Sequence, residues 1–276
     1  MLERRPAPTL REFDELVNRA KSHEEVAAAT GFRDIREAVY VPDDEFGHEH
    51  QVSPIFWLQS LLEAGLGPVV HEINCDARAT RVASQEVLSG VKAGANSTVF
   101  FTAGSFERVF DLTTHIKEVD AEDVPLVPVG VHSPKLLKLT TYDPTEFQIA
   151  GVDFVVIPEH YDPNVVLPVV QAFEALGIIP LVSMGIFHDP SMLLWAHNHL
   201  DLGVTRAMYH EVASRPDPLF AAVEFAVNYA HMLYDFGARG VVITFPESSK
   251  RNLIYKALGP LLKAFLAEHQ SRGDRW

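Results

Sequence analysis

Carboxylates and imidazoles recur in this chain directly after short runs of β-branched and aromatic residues. Ala38–Val41 gives way to Pro42-Asp43-Asp44, Val69–Ile73 to Asn74-Cys75-Asp76, and Thr98–Thr102 to Ala103-Gly104-Ser105. Leu126–Val131 is followed by His132, Phe154–Ile157 by Pro158-Glu159-His160, and Val241–Thr244 by Phe245-Pro246-Glu247. The candidate acids are therefore Glu3, Asp43, Asp44, Glu45, Glu72, Asp76, Glu159 and Glu247, and the candidate imidazoles His48, His50, His71, His132, His160 and His188. A carboxyl in a partly apolar pocket has its pKa raised toward neutrality, which suits a general acid.

Spacing narrows the chemistry. The cluster Asp43-Asp44-Glu45-Phe46-Gly47-His48-Glu49-His50 has zinc or iron ligand types, but ligands bunched in one loop need a second element to close a cage. A solvated acidic loop is the simpler reading, and no metal is expected. His71 and Glu72 are neighbours on one strand, so only one of them faces a site at that depth. His160 stands in the turn Glu159-His160-Tyr161-Asp162-Pro163, where a ligand contact or a capping network would each be natural. No Gly-x-Gly-x-x-Gly follows a strand and no Gly-x-Ser-x-Gly is present, which disfavours a dinucleotide phosphate loop and a serine hydrolase.

The elements that position these residues alternate. Amphipathic spacing predicts helices over Leu10–Ala29, Ser53–Ala64, Arg81–Ala93, Phe106–Glu118, Pro144–Ala150, Asn164–Leu176, Ser191–His199, Pro218–Phe236 and Asn252–Glu268, with glycines such as Gly94, Gly151, Gly177 and Gly237 as stops. Strands lie between them, and Phe187–Pro216 reads as a short helix followed by a His-rich loop. The expected fold is α/β, a single (β/α)8 TIM barrel domain over residues 1–276, with 269–276 a frayed tail. Such a barrel carries its chemistry on the loops at the C-terminal ends of its strands. The strand count is one short of the eight that closure requires, and Met1–Arg5 is the space left for the missing one.

Composition agrees with a globular protein: 47% hydrophobic residues in a chain of 276. The net charge of -14 is unfavourable for a phosphate backbone, so neither nucleic acid nor an anionic membrane surface is an expected partner. One cysteine, Cys75, excludes an intramolecular disulfide and a Cys-rich metal site. No apolar targeting segment follows Met1-Leu2-Glu3-Arg4-Arg5-Pro6, and no window approaches the roughly 18 apolar residues of a membrane span. A cytoplasmic protein is expected.

Read from Gly151, the series Gly151-Val152-Asp153-Phe154 through Asp162, then Leu176-Gly177-Ile178-Ile179-Pro180 and Met184-Gly185-Ile186, then Tyr234 through Thr244, resembles the methylenetetrahydrofolate reductase family in motif order. Upstream, Glu72-Ile73-Asn74-Cys75 and Phe101-Thr102-Ala103-Gly104-Ser105 fall where that family has H-L-T-C and A-L-R-G-D, and Leu2-Glu3-Arg4-Arg5-Pro6 looks like its first strand. The resemblance implies reduction of a methylene-pterin to a methyl-pterin, with FAD and NAD(P)H as cofactors and a folate-like reduced pterin as the small-molecule partner. It implies Glu3 as the catalytic acid. Substrate contacts then fall on Glu72, Asn74, Ser105, Glu159 and His160, and cofactor contacts on Thr102, Gly104 and His132. The family's aspartate of R-G-D falls on Ser105 and its glutamine of T-Q on Pro158. A homo-oligomer or a one-carbon enzyme partner fits the same reading. The alternatives are a metal-dependent barrel lyase or hydrolase using the rim histidines, and a non-catalytic partner subunit.

Overall fold

The computed structural model describes residues 39–41, 54–63, 65, 68–76, 78–118, 127–187, 189–244 and 253–261, together with Ser22 and Ala264. The expected first strand with Glu3, the helix over Leu10–Ala29, the loop holding His48 and His50, His188, Glu247 and the tail 269–276 lie outside the described residues. The chain divides into two compact units: the first takes in 37–134 and 143–154, the second 135–142 and 155–276.

The first unit is a parallel sheet with a helix after each strand. β1 (Val39–Val41), β2 (Val69–Asn74), β3 (Ser97–Phe101) and β4 (Val129–His132) pair in sequence order. Glu72 stands level with Val99 and Val99 with Gly130, while Asn74, Phe101 and His132 share the last rung. Helices α1 (Pro54–Glu63), α2 (Thr80–Lys92), α3 (Phe106–Glu118) and α4 (Pro144–Ala150) supply the apolar cover. Leu58 and Leu61 of α1 pack with Val69 and Ala95. Phe106 and Phe110 of α3 meet the Phe147 ring edge-on, each 4.9 Å between centroids. Phe147 is fully buried, and burial of a side chain that size is worth about 1.5–3 kcal/mol. Asp153 anchors the return to the sheet by accepting from the Val129 amide and Lys117, each at 2.8 Å.

The second unit holds most of β5 (Phe154–Ile157), then α5 (Pro163–Glu174), β6 (Ile179–Gly185), α6 (Pro190–Leu200), α7 (Arg206–Ala213), α8 (Pro218–Asp235), β7 (Gly240–Thr244) and a helical stretch over 253–261. β6 and β7 run parallel, with Gly185 level with Thr244 at the last rung. Helix α7 is a correction: the span read as a His-rich loop is helical because Thr205 caps it, accepting from the Met208 amide, and Met208 and Val212 bury one face at i, i+4.

One local signal recurs. Asp143-Pro144, Asp162-Pro163, Asp189-Pro190 and Asp217-Pro218 each open a helix, the aspartate accepting from the second or third helical amide and the proline occupying the first turn. The Thr145 amide, helped by its side chain, holds the Asp143 carboxyl below the usual carboxylate range. Among the described residues no helix is long and apolar enough to cross a membrane.

Candidate functional site

In the second unit a carboxyl occupies the C-terminal ends of the strands. Glu159 follows β5, and its Oε1 lies 2.8 Å from the Tyr161 hydroxyl, while the Thr244 hydroxyl at the end of β7 donates to Oε2 at 3.3 Å. Gly185, last residue of β6, makes room: a Cβ there would come within 2.5 Å of Oε1 and 2.8 Å of Oε2. The Gly185 backbone also hydrogen-bonds the carboxyl.

The proton count of this cluster decides its state. Tyr161 has one hydroxyl proton, yet its oxygen lies 2.5 Å from the Gly185 carbonyl and 2.8 Å from Glu159 Oε1. A carbonyl only accepts, and an ionised carboxylate only accepts. With Glu159 ionised, the single Tyr161 proton is shared between two acceptors; with Glu159 protonated, the carboxyl donates to Tyr161, which donates to Gly185. Burial favours the protonated form, raising the Glu159 pKa against the lowering effect of its bonds to Tyr161, Thr244 and Gly185. Burial likewise pushes the Tyr161 phenol up, with Glu159 adding to the shift. Part of Glu159 still reaches solvent.

His160 does different work. Its ring lies flat against Gly203, where any Cβ would collide with it, and its Nδ1 accepts from the Asp162 amide at 3.2 Å. The Tyr229 hydroxyl donates to its carbonyl at 2.7 Å, and the Tyr161 amide donates to Leu202 at 2.7 Å. The side chain thus pins the loop after β5 to the loop before α7.

In the first unit strand alternation separates His71 from Glu72. The His71 ring rests on Gly90 of α2, in the place a Cβ would fill, so it faces the helices. Glu72 points to the opposite side, is 5% exposed, and its Oε2 lies 3.0 Å from His132 Nδ1. Phe101, level with His132, meets the imidazole edge-on at 5.2 Å and 79°.

Beyond this pair the loop residues hold one another. Asp76 accepts from the Thr102 hydroxyl at 2.7 Å and from the amides of Ala103 and Gly104 at 2.6 and 3.0 Å. The Thr102 hydroxyl and the Gly104 amide both bond Asp76, while the Thr102 amide donates to the His132 carbonyl at 3.1 Å. Asn74 Oδ1 accepts from the Asp76 amide at 2.9 Å, and Ser105 Oγ from the Glu107 amide at 3.2 Å, in the first turn of α3. Sequence reasoning had placed Glu159, Glu72 and His132 at strand ends. It missed Tyr161, Gly185 and Thr244, because their convergence on one carboxyl depends on the pairing of strands distant in sequence. Among the described residues no group of three or more His, Cys, Asp or Glu side chains gathers as metal ligands do. His71 against α2 and His160 against Gly203 are turned to structural work instead.

Strand-end chemistry on parallel β and α units raises the question of which known folds share it. CdNal from Clostridium difficile, solved with mannosamine, superposes with a TM-score of 0.50 at 10% identity, over 92% of this chain and 72% of that one. The chain has a TIM-barrel-like α/β fold. Also similar are a phosphoenolpyruvate phosphomutase from Streptomyces platensis subsp. rosaceus (TM-score 0.47, 14% identity, 78% of this chain and 67% of that) and a Burkholderia cenocepacia J2315 protein described as a lyase/mutase (0.45, 16%, 91% and 91%). No family model matches the chain, and no curated protein matches it.

These findings correct the resemblance to methylenetetrahydrofolate reductases. No reductase family model and no curated reductase matches the chain, so the oxidoreductase activity, the folate assignment and the cofactors FAD and NAD(P)H fall with it. The motif order has a physical source in the fold itself. Gly151, Gly177 and Gly237 take positive φ at helix ends, and Asp153 ties α3 to β4. Such residues mark alternating helices and strands whatever the chemistry.

Proposed function

We propose that the protein is a lyase that acts on a small oxygenated molecule by acid–base catalysis, with Glu159 as the proton donor. One observation carries the reading: a buried carboxyl at the strand ends competes with a carbonyl for a single tyrosine proton, and burial favours its protonated form. A neutral carboxylic acid delivers that proton to the leaving oxygen as a C–O bond breaks and its electron pair stays on that oxygen, while water takes the proton of the neighbouring C–H bond, whose pair forms the C=C bond. The Glu159 carboxylate that remains accepts from the Thr244 hydroxyl, the Gly185 backbone and a Tyr161 hydroxyl that turns toward it. These are the groups that favour its charged form. Water or product returns the proton. A positioned acid of this kind contributes about 10²–10⁴ in rate.

The site location agrees with the rule that barrels place chemistry at the C-terminal ends of their strands. The same reading takes the chain as a single (β/α)8 domain in a reducing cytoplasm, supported by helix–strand alternation and the lone, buried Cys75. Its partner is a small molecule, in keeping with a net charge of -14 that disfavours nucleic acid.

The test is cleavage of a panel of 3-hydroxy and 2-oxo carboxylic acids, followed by proton NMR, with wild type and Glu159→Gln. The amide keeps the shape and cannot give up a proton in the same way. Turnover is expected to fall by at least about 100-fold with the fold intact by circular dichroism. Equal turnover in both proteins, or no cleavage of any panel member, overturns the assignment.

A further inference from the structure

We propose that His132 is a general base, positioned by Glu72, that forms a second proton-transfer centre in the first unit and takes a proton from a hydroxyl or acidic C–H of a small molecule.

Three observations converge on the imidazole. First, the pair is held at Nδ1. A carboxylate only accepts, so the 3.0 Å contact places the proton on Nδ1 and leaves the Nε2 lone pair available. Second, the ring is fixed in plane as well as in tautomer. Phe101 meets it edge-on, and β4 carries it on the last rung, level with Phe101 and Asn74, while Glu72 reaches up from one layer below. Third, burial is graded along the pair. The Glu72 side chain is 6% exposed and that of His132 24%, so the carboxylate is enclosed while the imidazole remains open. Among the described residues no protein group is bonded to Nε2.

A purely structural role fits this arrangement poorly. A packing role would enclose both partners alike, whereas here only the carboxylate is enclosed. Other charged groups nearby are engaged. Arg78, in the loop after β2, donates to the Asn74 carbonyl at 3.2 Å and pairs with Glu86 at 2.6 Å, and Asp76 is bound to the loop after β3. Glu72 is therefore the titratable group that bears directly on the ring.

The step balances. An Nε2–H bond forms as the substrate O–H or C–H bond breaks, and the bonding pair stays on the substrate. The imidazolium charge is met by Glu72, and the proton later passes to water or to the product. The proposal does not depend on the role of Glu159, which lies in the other unit.

The experiment uses the full chain. Nitrogen-15 NMR of the imidazoles reads the tautomer directly: His132 is expected as the Nδ1–H form, and Glu72→Gln is expected to abolish that preference while Glu72→Asp retains part of it. An Nε2–H tautomer in the wild type overturns the proposal. Diethyl pyrocarbonate, which attacks a free imidazole lone pair, is expected to modify His132 faster than exposed His197 and His199, with Glu72→Gln slowing it several-fold. Equal rates, or no change in Glu72→Gln, count against it. Finally, solvent deuterium uptake at C3 of 2-oxo acids, the carbon next to the keto group, is expected in D2O to fall by at least about 100-fold in His132→Gln and to survive in Glu159→Gln. Uptake that is absent, or unchanged in His132→Gln, overturns the base assignment. Uptake that survives where Glu159→Gln has lost cleavage separates this centre from the acid.

Discussion

Glu72 and Glu159 are the same residue type placed at the C-terminal ends of parallel strands, and their surroundings make opposite use of them. Glu72 is given an imidazole, which its Oε2 orients. Glu159 is given a phenol already bound to a carbonyl, and burial favours its protonated form. The residue type alone specifies neither outcome. What separates them is the number of donor protons available to the acceptors around each carboxyl, which is a property of the partner strands.

Each unit also contains a glycine whose missing Cβ admits a side chain from the next strand or loop, and this is where the comparison is tested most severely. At Gly130 the intruder would meet the Phe154 ring, which is rigid and 7% exposed. At Gly185 it would meet the far end of a flexible glutamate. Gly130→Ala is therefore expected to cost about 3 kcal/mol and Gly185→Ala about 1 kcal/mol, the upper and lower ends of overpacking. Urea melts of the two variants give the ranking, and equal losses would show that the glycines are not playing these distinct parts.

Next in size is the clamp confined to the first unit. Asp76→Ala removes three bonds at once from the loop after β3 and is expected to lower stability by about 2 kcal/mol. Thermal denaturation measures it, and amide hydrogen exchange at Ala103 and Gly104 is expected to accelerate in the same variant.

The third difference lies in pH. A carboxyl whose pKa is raised on folding binds its proton more tightly in the native state, so its contribution is fully present below the usual 4.5 and is lost as pH rises through the raised value. Wild type is expected to lose stability over that window, and Glu159→Gln to lose less. A decline of equal size in both proteins would assign it to other groups. Smallest is Lys117→Ala, which removes the partly exposed bond to Asp153 while leaving the Val129 amide bonded. A change below about 0.5 kcal/mol, shrinking further in salt, is expected from chemical denaturation.

Local signals were readable in the sequence. Helix α3 over Phe106–Glu118, helix α4 over Pro144–Ala150 and strand β5 over Phe154–Ile157 lie where apolar periodicity and glycine stops predict them. Helix α7 escaped because it is only two turns long and its buried stripe is just Met208 and Val212, although Thr205 offered a cap. At the site, Glu159 was legible as an acid after a strand. Its proton was not, because that depends on the Gly185 carbonyl and the Tyr161 hydroxyl, groups whose partners sequence spacing does not reveal. The motif resemblance misled for a related reason. Glycines and aspartates that terminate helices recur in the order of the elements, and that order belongs to every alternating fold.

The close seat of Glu159 on Gly185 has a consequence for descent. Any side chain at 185 evicts the acid, so the two positions form one heritable unit. Relatives that keep glycine at the end of β6 are expected to keep an acid in the turn after β5, and those that have gained a side chain at the first are expected to have surrendered the second. Covariation at this single pair would show whether descendants keep the acid and its seat together.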